Sequence, residues 1–432
     1  MAPSSHFQRG VEQLKAGNYA EARKLFAESE AAAGTVEKTK ADLAQAEAKL
    51  AAGDVGGAAA LYEAVLDRNP GLPEVYLGLA RIGLFTGKAE DARTHARAAT
   101  QLAPTLPLAW TLFGLAHEAA GDLEVGLTHL RKGAELGPDS FLCQFNLGRA
   151  LTSVGRGADA LPALARAAEL DPRSPDVQSV LGFAYRQVKQ YENAIKAFER
   201  AKDLAPKSLD AYATLADVLF EVQEFKAARI ILDQGLKACG DHPALLEKAL
   251  SCSLMLGDAN SGIDYVEREL KLVPDHEQGW LNLAGLYLLT KDFTRSEAVA
   301  KTLLQKNPKR WEAWLHLGDL YDAVPNEAEA EKAYRKALEL APGEWKAYAN
   351  FGSLLVQSTD AKKYPEAKKL LEQAVSLAPP GELRPLYNLA LAHVRLGDKA
   401  RAKALAKEIQ GKAPPDSVMH AEARKLEVNL AG

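Results

Sequence analysis

Cysteine is scarce, with three residues (Cys143, Cys239 and Cys252) in a chain of 432. A secreted disulfide framework uses more, in even number, so a reducing compartment is expected. Long apolar runs are missing: no stretch of 18 apolar residues is available to span a membrane. The opening "MAPSSHFQRGVEQLKAGNY" lacks the apolar core of a secretory signal, and the expected location is the cytoplasm. Neither sign of charge dominates, since 53 Lys and Arg against 57 Asp and Glu leave a formal charge of -4. Without a polybasic footprint few counterions can be displaced, which argues against nucleic acid and anionic membrane as partners. Runs of strand period are also lacking.

What is present is a period. The prolines Pro70, Pro104, Pro138, Pro172 and Pro206 are 34 residues apart, and Pro274, Pro308 and Pro342 resume the series after one skipped beat. The empty slot falls on Gly240, and Pro379 and Pro414 follow after slips of three residues and one. Within each unit two apolar stripes recur at i, i+3/i+4 and i+7, the spacing of two amphipathic helices. Small residues recur at position 8 (Gly114, Gly148, Gly182, Gly318) and at position 20 (Ala92, Ala160, Ala194, Ala330). Helix backbones approach closely only where side chains are small, so these positions predict antiparallel pairs in tight contact. Glycines such as Gly53, Gly87 and Gly121 fill the turn between the helices, where a left-handed cap is expected.

The unit "WEAWLHLGDLYDAVPNEAEAEKAYRKALELAP" carries an aromatic, Leu-Gly, Tyr, Ala, a second aromatic, Ala and Pro at fixed offsets. In this it resembles the tetratricopeptide repeat, and about twelve units cover nearly the whole chain. The resemblance implies an all-α fold: a right-handed superhelical solenoid of antiparallel helix pairs with a C-terminal capping helix. The expected array runs over residues 1–414, with an irregular joint near 236–262 and an insertion near 358–364. Residues 415–432 are the expected cap.

The segment "CGDHPALLEKALSC" poses the question of metal or thiol chemistry. Repeat phase places Cys239 at the end of a second helix, His242 in the following loop and Cys252 within the next first helix. Nine residues along a helix from Pro243 amount to roughly 13 Å, whereas zinc ligands stand about 2–2.3 Å from one ion. No metal site and no cofactor are expected, with His276 too far along the stack to join His242. Cys252 reads as a small core residue, and Cys143 and Cys239 as partly buried thiols. "GLFTGKAE" falls short of a phosphate-binding loop, having three residues between its glycines and Ala89 in place of the hydroxyl.

With the chain absorbed into repeats, no catalytic domain remains, and no enzyme activity is expected. First helices line the concave wall of such a solenoid. Position 6 there holds Asn146, Asn282, Asn350 and Asn388. An amide can pair with an extended backbone whatever its sequence. The set is similar to part of the asparagine ladder in O-linked N-acetylglucosamine transferases; alternatively, asparagine is simply common at this slot. Phe145, Phe183 and Phe220 form an expected apolar patch, unless inter-repeat packing claims some of the rings. Arg149 and Arg186 border it, with Asp217 and Glu221 one unit later. The Lys/Asn/Asn/Lys/Arg set by which chaperone-binding relatives hold a C-terminal carboxylate is not found.

The expected function is a non-catalytic protein–protein interaction scaffold that holds a peptide segment or a folded partner in its groove. The alternative is an accessory subunit recruiting substrate to a transferase or to a secretion or envelope-assembly machine. Neither oligomeric state nor partner identity follows from the residues.

Overall fold

A computed structural model describes residues 5–430. The first four residues of the expected array and the last two of the expected cap lie outside them. The chain divides into two compact units, Met1–Gln223 and Glu224–Gly432. Among the described residues there are 25 α-helices and no strand. Unit 1 holds six helix pairs and the first (A) helix of the seventh repeat. Unit 2 begins with the second (B) helix of that repeat, Phe225–Cys239, and continues with five more pairs and a final helix, Val418–Asn429. The fold is all-α, a solenoid of repeated helix pairs.

Three physical devices maintain the repeat. The first is a fit between glycine and a large side chain. A Cβ on Gly318 would lie 2.4 Å from Tyr334, and one on Gly182 would lie 2.5 Å from Phe198. The small residue at position 8 therefore makes room chiefly for the large residue at position 24, rather than for position 20 alone. The fully buried Tyr334, Phe198, Phe26 and Leu164 are among the members of that second slot. In the eighth repeat the sizes are exchanged: Leu250 stands at position 8, and Val266 at position 24. Gly262 faces this site, its virtual Cβ 3.3 Å from Leu250 Cδ1.

The second device joins consecutive repeats. Trp110 Nε1 donates to the Pro104 carbonyl at 2.8 Å, Trp280 to Pro274 at 2.8 Å and Trp314 to Pro308 at 3.1 Å. Tyr76 and Tyr212 do the same for Pro70 and Pro206, both at 3.0 Å. Each of these five rings thus satisfies a carbonyl that the backbone of the helix-ending turn leaves without a partner.

The third is capping. Asp54, Asp258, Asp292 and Asp398 accept backbone N–H bonds at the starts of B helices, and Ser140, Ser174 and Ser208 do so at A helices. The intervening turn needs positive φ. Gly121 supplies it at +89°, but Lys189, Gln223 and Lys291 hold the same slot at 60°, 64° and 61°.

Around 358–364 the chain forms a short 3-10 turn, Ala361–Lys363, where Lys363 pairs with Glu327 and Glu331. The final helix buries Ala423 and Leu426 and is tied to the preceding B helix by the Gln410–Glu427 hydrogen bond of 2.9 Å.

Candidate functional site

The A helices of unit 1 carry the aromatic and charged residues singled out by sequence. Phe145 is half-buried and stacks on Phe141, ring centroids 5.6 Å apart. Phe183 meets Phe198 edge to face at 5.1 Å and remains 36% exposed. Phe220 is 38% exposed, and Asp217 is half-buried.

The arginines are engaged by neighbouring A helices. Arg149 makes two hydrogen bonds to Glu118, at 3.0 and 2.7 Å, a partner one repeat earlier that the sequence reading missed. The spacing that reveals it is position 9 to position 12 of the preceding unit. Arg186 Nε donates to Glu221 at 2.6 Å, and Tyr191 donates to the same carboxylate at 2.9 Å. Desolvation raises the Glu221 carboxyl, but these two donors outweigh it and hold its pKa below the ordinary value. The structure therefore brings Arg186 and Glu221 together and gives Arg149 to Glu118.

The four asparagines have different surroundings. Asn146 is buried, and its Nδ2 donates to Leu142 O of its own helix at 2.8 Å. Asn282 accepts from Gln278 at 3.0 Å. Asn350 donates to Asp319 at 2.8 Å, across to the preceding A helix. Asn388 is half-buried. In the tenth repeat the slot holds His316, whose Nε2 lies 2.8 Å from Ser296 Oγ. Since the serine hydroxyl donates to Ala284 O at 2.8 Å, the imidazole is the donor in that contact. Desolvation pushes the His316 pKa down to about 4. Near it, desolvation raises both Asp319 and Asp322 above the usual carboxylate range, in spite of the Tyr334 and Asn350 bonds to Asp319.

A further set escaped the sequence reading. Large apolar side chains stand exposed in the last turn of several A helices. In unit 1 Phe85 is 74% exposed; in unit 2 Leu254, Met255 and Leu289 are 51%, 57% and 65% exposed. They occupy positions 12 and 13, where the helix-pair packing has no use for them. An apolar residue immediately before the turn was the available signal. In unit 2 a cleft of about 430 Å³ is lined by Trp314, Leu317 and Tyr321 together with Lys301, Glu329 and Lys332.

No disulfide joins the three thiols: Cys143 and Cys252 are buried, and Cys239 is half-buried. Cys143 is more deeply placed than its sequence suggested, receiving a hydrogen bond from Thr111 Oγ1 at 3.2 Å. One group has the composition of a metal site: Glu247, Glu269 and His276.

Family models match the chain over most of its length. Residues 49–114 and 185–249 match one tetratricopeptide-repeat model, and residues 111–175 match a second. Residues 288–420 match the tetratricopeptide domain of cytochrome c-type biogenesis protein H. The chain is a tetratricopeptide-repeat protein. No curated protein sequence matches it. Solved structures similar to this tetratricopeptide protein include yeast Tom70, with 13% identity over 92% of this chain and 96% of that one, TM-score 0.44. Pseudomonas aeruginosa pilF has 21% identity over 49% of this chain and 94% of its own, TM-score 0.40. MamA from Desulfovibrio magneticus RS-1 has 22% identity, 38% and 94% coverage, and TM-score 0.36. A tetratricopeptide array is a protein-interaction scaffold. Among the described residues no helix is long and apolar enough to cross a membrane.

Proposed function

We propose that this protein is a non-catalytic scaffold that holds an extended peptide, or one edge of a folded partner, along its A helices. The observation that carries this reading is the row of exposed apolar side chains at the ends of A helices, Leu254, Met255 and Leu289 in unit 2. Exposed apolar groups gathered on one register are the usual mark of a contact surface. Unit 1 by itself carries the same chemistry in Phe183 and Phe220, with the Arg186–Glu221 pair on the same A helices. A ligand with apolar anchors fits the A helices of either unit, and one with mixed charge as well fits those of unit 1. Of the asparagines at position 6, the half-buried Asn282 and Asn388 offer amide groups toward the ligand's backbone, while Asn146 and Asn350 already donate to Leu142 O and Asp319.

Cysteine usage favours a cytoplasmic setting. The match of residues 288–420 to a cytochrome c biogenesis module supports a second reading, a recruiting subunit of an envelope-assembly machine.

Affinity purification of the full chain from its native cell tests the surface. Partners retained by wild type and by an Ile230→Ser control, on an exposed B-helix position, should be lost from a Leu254→Ser/Met255→Ser/Leu289→Ser variant. An Asn282→Ala/Asn350→Ala variant separates the amide contribution. An unchanged partner set in both variants would move the site off the A helices. Cell fractionation decides between the two settings.

A further inference from the structure

In the eighth repeat a buried carboxylate occupies a slot that is small in six other repeats and apolar (Val65, Leu303, Ile409) in three more. The six small residues are Ala99, Gly133, Ala167, Ala201, Gly235 and Ala337, whereas here position 27 is Glu269. Glu269 lies on helix Ala259–Leu272 and is 2% exposed. Its carboxylate contacts Nδ1 of His276, the residue that caps helix Glu277–Leu289. Glu247, exposed on helix Pro243–Met255, completes the group, and the three donor atoms all lie within 4.8 Å of one another.

Two carboxylates so close together repel, and a buried one is stable when it is paired or bound to a metal. We propose that Glu247, Glu269 and His276 form a binding site for one divalent first-row metal ion, which clips both helices of the eighth repeat to the start of the ninth. One imidazole nitrogen and two carboxylate oxygens are the donors that suit Zn²⁺ and related ions rather than a soft ion such as copper(I). Tetrahedral donors about 2.1 Å from Zn²⁺ stand roughly 3.4 Å apart, so an inward swing of the exposed Glu247 closes the site. Metal binding needs the Nδ1 lone pair, so an imidazolium would lose its Nδ1 proton to solvent and a neutral ring would carry its one proton on Nε2. Three protein ligands leave one position for water or for a carboxylate of a bound partner.

The probe is Zn²⁺ alone, titrated calorimetrically into full-length protein stripped with EDTA. One ion per chain is expected, with at least tenfold weaker binding in Glu269→Gln, His276→Ala and Glu247→Gln. Glu247→Gln alters an exposed residue, so it carries the test if Glu269→Gln disturbs the fold by circular dichroism. Cys239→Ser should bind as wild type, and the Co²⁺ form should lack thiolate charge-transfer bands. No stoichiometric binding would overturn the proposal, as would unchanged affinity in Glu247→Gln and His276→Ala or loss of the ion in Cys239→Ser.

Discussion

Asn350 donates from Nδ2 to Asp319 Oδ1 at 2.8 Å, and the Tyr334 hydroxyl donates to the same oxygen at 2.8 Å. One carboxylate thus links the asparagine slot of the eleventh repeat to the ring that fills the core of the tenth. Burial raises the Asp319 pKa, so its ionised form is the disfavoured one in the folded state. By linkage the stabilising contribution is present at low pH and is lost as pH rises through the folded pKa. Asp319→Asn keeps an acceptor oxygen for both donors and cannot ionise. It should raise the thermal midpoint at pH 7, with the gain shrinking as pH falls toward 4.

His316 titrates in the opposite sense. Its folded pKa of about 4 lies below the ordinary 6.5, so its contribution is present above pH 6.5 and lost as pH falls toward 4. The full loss amounts to roughly 3 kcal/mol. His316→Asn installs the residue found at this slot in four other repeats and should flatten the fall in urea midpoint between pH 6.5 and 4. An unaltered slope would remove His316 as its source.

The fit of Gly318 beneath Tyr334 leaves no space for a methyl group. Tyr334 is buried, and its hydroxyl is held by Asp319, so the ring cannot swing aside. Gly318→Ala should cost about 1–3 kcal/mol in denaturant unfolding. Gly285→Ala, on an A helix with nothing within 4 Å of the new Cβ, should instead be neutral or stabilising by about 0.5–1 kcal/mol. Equal effects at the two sites would contradict the packing argument.

Lys291 occupies a left-handed turn position at φ 61°, and Gly257 holds the corresponding position at 69°. Lys291→Gly should stabilise by about 1 kcal/mol and Gly257→Ala destabilise by a similar amount, both read from thermal midpoints. Open space surrounds Gly257, so the backbone angle, not packing, decides the sign.

The repeat was legible in the sequence because its slots are steric. Gly318, Pro308 and Trp314 each answer a local need for space, a stop or a donor, and that need returns every 34 residues. The partner of the position-8 glycine was less legible: only the packed structure sets it against position 24. The asparagines illustrate a further limit. Asn146 turns back to its own helix and Asn350 reaches the previous one, since each amide takes the donor or acceptor its neighbours offer. The Glu247–Glu269–His276 group was hidden for a similar reason. Distances along one helix rightly separate Cys252 from Cys239, but positions 5, 27 and 34 of one repeat converge from three elements.

The most direct test of the scaffold assignment is site-specific photo-crosslinking in the native cell. The crosslinker p-benzoylphenylalanine is placed at Phe183, Leu254 or Leu289 on A helices, and at Leu123 or Ile230 on exposed B-helix positions. The account predicts that the A-helix positions capture a common partner and the B-helix positions do not. Capture through Leu123 or Ile230, with the A-helix positions silent, would contradict it.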